Sequence, residues 1–131
     1  MILPLLLALG WSEQLLAVEW KSIDLAAFHS TPTTAERCVL VCEAKKGGAG
    51  MQNVWQQALG YVEKLRLGSC QKILVTEGAR FYLYSKAGGR WSETPTGYFN
   101  VEKIRERHVA PKGTSAVDTI VALTPMNLIR G

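Results

Sequence analysis

The chain has 131 residues, a length that suits one domain around a single hydrophobic core. Apolar residues make up 47% and charged residues 20% of the sequence, which excludes a disordered or low-complexity chain. The net charge of +4 permits a polyanionic partner without requiring one. We predict one domain over residues 1–131, with its core in residues 2–86 and a C-terminal extension over residues 87–131.

The N-terminal part of the chain predicts one helix followed by three strands. Ile2–Leu9 is an apolar run far too short to cross a membrane, and Gly10 ends it, so we expect a core helix. Leu15–Trp20 and Ser22–Phe28 are expected to be strands that pair as a hairpin. Val39–Lys45 is apolar on both faces, which predicts a third strand at the centre of the sheet.

The middle of the chain predicts a second helix and two more strands. Met51–Leu65 has apolar residues at helical spacing, whereas Ile73–Val75 and Phe81–Tyr84 are expected to be strands. The predicted order is therefore α-β-β-β-α-β-β, an α/β fold with a mixed five-stranded sheet flanked by helices. The remaining segments are expected to form a loop and two short helices, over residues 87–97, Val101–His108 and Val117–Leu123.

The three cysteines, Cys38, Cys42 and Cys70, are expected to be reduced thiols. Alternation along a strand predicts Cys38 and Cys42 on the same face, about 13 Å apart, which is too far for a disulfide. No CxxC motif or Cys/His cluster that would indicate a zinc site is present. Reduced thiols predict a cytoplasmic protein.

Charged residues at the end of the third strand are the strongest indication of a functional site. Alternation places Glu43 and Lys45 on the same side of that strand, and Asp24 lies in the preceding strand. If the two strands are neighbours, these side chains converge as a hard oxygen site for a divalent cation beside an amine that handles protons. The alternative is a surface Glu43–Lys45 ion pair with Asp24 as a turn residue.

The second predicted helix carries a further polar pair. Gln57 and Tyr61 are spaced i, i+4 on the stripe that also contains Val54 and Ala58, so their side chains are neighbours. A glutamine that faces the core needs a hydrogen-bond partner for its amide. The alternative is a residue at the edge of the stripe, with its amide in water.

These residues, in this order, resemble the PD-(D/E)XK nuclease superfamily: an Asp on one strand, then Glu43-Ala44-Lys45 ending the next, then a helix with Gln57-x-x-x-Tyr61. More narrowly, the chain resembles the nuclease domain at the N-terminus of type I restriction-enzyme restriction subunits. The resemblance covers Leu3–Lys86 and is carried by the segments LALGW, VEWKSIDLAAF, VLVCEAKK, QQALGYVEKL and ILVTEGARFYLY.

The resemblance implies a restriction-endonuclease-like core and hydrolysis of DNA phosphodiester bonds with Mg²⁺, for which Mn²⁺ is a substitute. Asp24, Glu43 and the backbone carbonyl of Ala44 would bind the metal, and waters and a phosphate oxygen would complete its ligands. Lys45 would hold the attacking water and offset the negative charge that grows in the transition state.

The resemblance also implies DNA as the partner. Gln57 and Tyr61 would orient the site and meet the DNA backbone, and Lys46, Lys64 and Arg66 are candidate phosphate contacts. For each of these three cations, a solvated surface charge is the alternative. The helicase motor of the type I subunit is not in this chain, so a separate motor domain or other restriction-modification subunits are expected partners. We do not expect the protein to bind a membrane.

Two other functions remain open at this point. One is a catalytically silent nucleic-acid-binding module that keeps the nuclease fold. The other is a junction-resolving or repair nuclease on the same scaffold, which would act as a homodimer. Retention of Asp24, Glu43 and Lys45 together favours an enzyme, because a silent module has no need of all three.

Overall fold

Helices and strands follow one another in the order that the sequence predicts as far as the fifth strand. A computed structural model describes residues 2–46, 50–101 and 116–130. Within these ranges the helices are α1 (Ile2–Ala8), α2 (Met51–Lys64), α3 (Ala116–Ala122) and α4 (Pro125–Arg130). The strands in the same ranges are β1 (Leu16–Trp20), β2 (Ile23–Phe28), β3 (Cys38–Ala44), β4 (Lys72–Glu77), β5 (Arg80–Ala87), β6 (Arg90–Trp91) and β7 (Gly97–Asn100). None of the helices in these ranges has the length and apolar character needed to cross a bilayer.

The strands form one mixed sheet, as predicted. Strands β1 to β5 are hydrogen-bonded in sequence order, and β6 and β7 both pair with β5. The β3–β4 pair is parallel, whereas the other pairs are antiparallel. Because parallel neighbours need a crossover connection, α2 lies between β3 and β4 in the chain and packs on one face of the sheet.

Helices cover both faces of the sheet, so the domain is a layered α/β structure. One buried cluster joins the sheet to α1, α3 and α4, and the indole of Trp11 donates a hydrogen bond to the carbonyl of Leu123 at 2.8 Å within it. The other cluster joins the sheet to α2, where Trp55 stacks on Tyr84 with ring centroids 4.2 Å apart. These contacts fix the helices against the sheet whose edge carries the candidate site.

Strand β3 lies at the centre, and all six residues of Cys38–Glu43 are buried. Its register with β2 shifts between Ala27 and Phe28, so that Val39 is an extra residue on β3. The prediction that Cys38 and Cys42 share a face is therefore wrong: Cys38 lies in the cluster on the α2 side and Cys42 in the other. Both thiols, and that of Cys70, are buried and free.

The sheet has seven strands within the described ranges, not the five that the sequence predicts. The segment predicted as a loop contains β6 and the first residue of β7, and β6 is too short to show a pattern. Gly88 and Gly89 both have positive φ and form the two-residue turn that pairs β6 with β5. Helix α3 confirms the helix predicted over Val117–Leu123, whereas the one predicted over Val101–His108 lies outside the described residues apart from Val101.

Gly97 in β7 is expected to tolerate no side chain, because a Cβ there would lie 2.5 Å from Oγ1 and 2.8 Å from Cγ2 of Thr119 on α3. Gly97→Ala should lower the free energy of unfolding by about 1–3 kcal/mol, measured by urea denaturation. Gly60→Ala is the control: Gly60 lies in α2, and a Cβ at this position would have no atom within 4 Å, so the variant should gain about 0.5–1 kcal/mol. Equal effects of the two substitutions would contradict this account of the β7–α3 contact.

Candidate active site

The structure brings the carboxylates of Asp24 and Glu43 together, on neighbouring strands at the end of β3. Leu25 pairs with Cys42, so the antiparallel register places Asp24 opposite Glu43. The backbone N–H of Asp24 donates to Oε1 of Glu43 at 3.3 Å, and the backbone N–H of Ala44 donates to Oδ2 of Asp24 at 2.8 Å. Each carboxylate therefore accepts a hydrogen bond from the backbone of the other strand. The second oxygen of each carboxylate takes part in neither bond; these oxygens are Asp24 Oδ1 and Glu43 Oε2.

Burial and the neighbouring carboxylate make ionisation of Glu43 unfavourable. Glu43 is only 4% exposed, and alternation from Val41 places it on the α2 side of the sheet. Burial, followed by the charge of Asp24, raises the pKa of Glu43 to about 7. A carboxyl pair of this kind, in which the second negative charge is hard to accommodate, is a common property of functional sites.

Lys45 lies beyond the carboxylate pair and forms an ion pair that the sequence pattern did not predict. Its backbone N–H donates to the carbonyl of Thr76 at 2.7 Å, and its Nζ lies 3.1 Å from Oε1 of Glu77. The next residue, Lys46, is exposed, and its Nζ lies 3.7 Å from Oδ1 of Asp24. The ammonium of Lys45 is thus held at the end of the β3–β4 pair by Glu77, and Lys46 is the cation beside Asp24.

Glu77 is the residue of the site that sequence reasoning missed. It ends β4, the parallel neighbour of β3, and Thr76 pairs with Ala44. The following residues on the two strands, Glu77 and Lys45, are therefore adjacent. The opposite charges at the ends of two consecutive core strands were the available signal, but only the parallel pairing makes them neighbours.

A pocket of about 350 Å³ opens beside these residues, between α1 and the ends of β2, β3 and β4. Asp24 and Lys45 line it, together with Thr76 and Gly78 at the end of β4. Its remaining wall is apolar and includes Ile2 of α1. The pocket gives solvent and ligands access to the carboxylate of Asp24 and the ammonium of Lys45.

The polar residues predicted on α2 lie at different distances from this site along the helix. Gln57 is exposed and its amide donates to the hydroxyl of the half-buried Tyr61 at 3.1 Å, so the glutamine has a partner but does not face the core. Lys64 ends α2, and Arg66 follows it with φ of 55°. Because α2 returns the chain from the end of β3 to the start of β4, Lys64 and Arg66 lie toward the other end of the sheet, where Arg66 borders a pocket with Lys86.

The paired carboxylates are the residues that could hold a metal ion. Among the described residues, no group of three or more His, Cys, Asp and Glu side chains is arranged to hold one. Mg²⁺, however, needs only one or two carboxylates, because it keeps several waters and takes substrate phosphates as further ligands. Asp24 and Glu43 fit that requirement, and a cation between them would offset the repulsion that raises the pKa of Glu43.

Comparison with known proteins finds no match for this chain among protein-family models, curated proteins or solved structures. The site is therefore interpreted from its own geometry.

The pKa of Glu43 predicts a pH-dependent stability. Because the folded-state pKa is about 7 and the ordinary value is 4.5, the folded protein holds a proton that the unfolded chain releases between these pH values. Without divalent metal, the free energy of unfolding should fall by about 2–3 kcal/mol from pH 4.5 to 7, relative to Glu43→Gln. Urea denaturation in EDTA at several pH values measures this difference, and two parallel pH curves would contradict it.

The ion pair with Glu77 is expected to slow chemical modification of the Lys45 amine. In Glu77→Gln the carboxylate charge is lost, so acylation of Lys45 by an amine-reactive reagent, followed by mass spectrometry, should rise about two- to fivefold. Glu63→Gln on the exposed face of α2 is the control and should leave Lys45 unchanged. Unchanged acylation in Glu77→Gln would mean that Glu77 does not hold Lys45.

Proposed function

We propose that this protein is a metal-dependent endonuclease that hydrolyses DNA phosphodiester bonds, with a restriction-endonuclease-like core resembling that of type I restriction subunits. One observation carries the proposal: the carboxylates of Asp24 and Glu43 are adjacent at the end of the central strand pair, with Lys45 two residues beyond Glu43. The order of residues that resembles the nuclease superfamily supports the same function.

In the proposed mechanism, Asp24, Glu43 and the carbonyl of Ala44 would hold Mg²⁺, and the burial of Glu43 together with its repulsion from Asp24 would favour a cation there. When bound, Mg²⁺ would supply charge stabilisation at the scissile phosphate and a more acidic water. Lys45 acts as an ammonium that hydrogen-bonds the attacking water and offsets charge on the phosphate oxygens. Glu77 would orient that ammonium through their ion pair, and both Lys45 and Asp24 line the pocket.

DNA would approach over exposed side chains near the end of β3 and along α2. Lys46 is exposed beside Asp24 and can neutralise a phosphate without reading sequence. The Gln57–Tyr61 pair on α2 offers an amide and a hydroxyl to the backbone. Lys64 lies toward the far end of the sheet, so it would contact DNA only if the duplex extends along α2.

A catalytically silent nucleic-acid-binding module is the second candidate function, and the ion pair of Lys45 favours it. An ammonium already bound to Glu77 is partly neutralised and is not directed at Asp24 or Glu43 by any hydrogen bond in the described residues. Such a module would bind DNA through the same exposed cations without cleaving it.

Cleavage of supercoiled plasmid in Mg²⁺, Mn²⁺ or EDTA separates these functions. Wild type should nick the plasmid in either metal and not in EDTA, while Lys45→Ala should lose at least ~100-fold in rate and keep its DNA affinity, because it removes charge stabilisation and not the metal ligands. Asp24→Ala should lose both cleavage and Mn²⁺ binding by calorimetry.

Arg90→Ala is the matched control, because it removes an exposed cation from β6, which pairs with the end of β5 that is remote from the carboxylate pair. This variant should cleave like wild type. Cleavage by Lys45→Ala at the wild-type rate would remove this lysine from the mechanism. Metal-independent DNA binding without cleavage by any variant or by wild type would support the silent module.

A further inference from the structure

Beyond α2, the same face of the sheet carries a row of aromatic and basic side chains. Helix α2 packs mainly on β3 and β4, whereas β5, β6 and β7 continue the sheet past it. Tyr84 of β5 lies in the buried cluster on the α2 side, so alternation places Arg80, Tyr82 and Lys86 on that face. These side chains follow one another along about 20 Å of β5. With their neighbours they form the aromatic–basic strip: Arg66, Arg80, Tyr82, Lys86, Trp91 and Tyr98.

The three rings of this strip are half-buried, so part of each ring is open to solvent. Tyr98 of β7 lies opposite Tyr82, and their ring centroids are 5.1 Å apart. Trp91 of β6 lies opposite Lys86, and its indole meets Trp55 of α2 edge to face at 5.9 Å. These contacts fix the orientation of the rings, while their exposed parts can contact a ligand.

Cations accompany the rings at both ends of β5. Arg80 is exposed and lies next to the two tyrosines. At the other end, Arg66 and Lys86 line a pocket of about 310 Å³, together with Trp91. Neither of the ion pairs within 4.0 Å in the described part of the chain involves Arg66, Arg80 or Lys86. The charges of these three cations are therefore available to a ligand.

Two carboxylates beside the strip offset only part of this charge. Glu63 of α2 lines the same pocket. Glu77 lies opposite Arg80 in the pairing of β4 with β5, but its Oε1 already lies 3.1 Å from the ammonium of Lys45. The strip therefore keeps a net positive charge, which complements a polyanion.

We propose that the aromatic–basic strip binds single-stranded DNA, with bases stacked against the rings and phosphates at the cations. A positively charged surface with aromatic side chains binds single strands without regard to sequence, because every base has a π-face. In a duplex the bases already stack on one another, so the rings would add little to its binding. The choice of DNA over RNA rests on the proposed nuclease function, whereas the preference for a single strand rests on the strip itself.

Fluorescence anisotropy of the full chain with labelled oligo(dT), about 12 nucleotides long, tests this surface. Oligo(dT) should bind at least about tenfold more tightly than its duplex with oligo(dA), because only unpaired bases reach the rings. Oligo(U) of the same length should bind no more tightly than oligo(dT). The titrations are made in EDTA, so a protein that binds oligo(dT) and never cleaves plasmid would keep this surface and lose the nuclease function.

Trp91→Ala should weaken oligo(dT) binding about 5- to 100-fold through loss of one stacked base, whereas Trp91→Phe should keep most of the affinity. Arg66→Gln and Lys86→Gln should each lower the slope of log K against log salt concentration by about 0.7, since each removes one phosphate contact. These two side chains are exposed or half-buried, so the proposal stays testable if Trp91→Ala does not fold.

Lys21→Gln is the matched control for Lys86→Gln. Lys21 is exposed between β1 and β2, at the opposite edge of the sheet, so this variant should keep the wild-type salt slope. Equal changes in Lys21→Gln and Lys86→Gln would indicate attraction by net charge and overturn the proposal. Tighter binding of the duplex or of oligo(U), or no binding of oligo(dT), would overturn it as well.

Discussion

Burial of β3 on both faces is the constraint on which the rest of this structure depends. Its residues from Cys38 to Glu43 are covered by α1, α3 and α4 on one side and by α2 on the other. A strand of this kind has to be central, with its backbone bonded to neighbours on both edges, because no water reaches it. Polar side chains are therefore excluded from most of β3, and charges appear only where the strand reaches the edge of the core.

At that edge, the carboxylates replace part of the hydrogen bonding between strands. Asp24 and Glu43 each accept a backbone N–H from the opposite strand, so the ladder between β2 and β3 continues through side chains where the described backbone pairing ends. This arrangement holds two acidic groups next to each other in a largely buried position. The raised pKa of Glu43 is the energetic consequence, and it shows that the position favours either a proton or another cation.

The parallel pairing of β3 with β4 has a similar effect on the basic residues. Parallel strands bring equivalent ends together, so Lys45 meets Glu77 at one end of the sheet. At the other end, the antiparallel pairing of β4 with β5 places Lys72 opposite Ser85, and its Nζ donates to Oγ of that residue at 2.9 Å. The sheet thus separates the acidic pair, at one end of the β3–β4 pair, from the half-buried Lys72 at the other end.

The local periodicity of the sequence was sufficient for the elements of the first 87 residues. The apolar run before Glu43 and the helical spacing after Gly50 are strong because each reports burial of one continuous segment. Strands β6 and β7 were missed because one is two residues long and the other begins at a glycine. The prediction that Cys38 and Cys42 share one face of β3 is wrong because a bulge adds one residue to the strand. The extra residue reverses the alternation of side chains beyond it.

For the candidate site, residue order alone indicated which side chains to consider, since acids and a lysine at the ends of apolar strands are exceptions to the burial pattern. Strand register then decided which of them meet. It placed Asp24 opposite Glu43, joined Lys45 to Glu77, and left Lys64 at the far end of α2. Contacts between residues distant in the chain depend on register and strand direction, and neither is encoded by the spacing within any one segment.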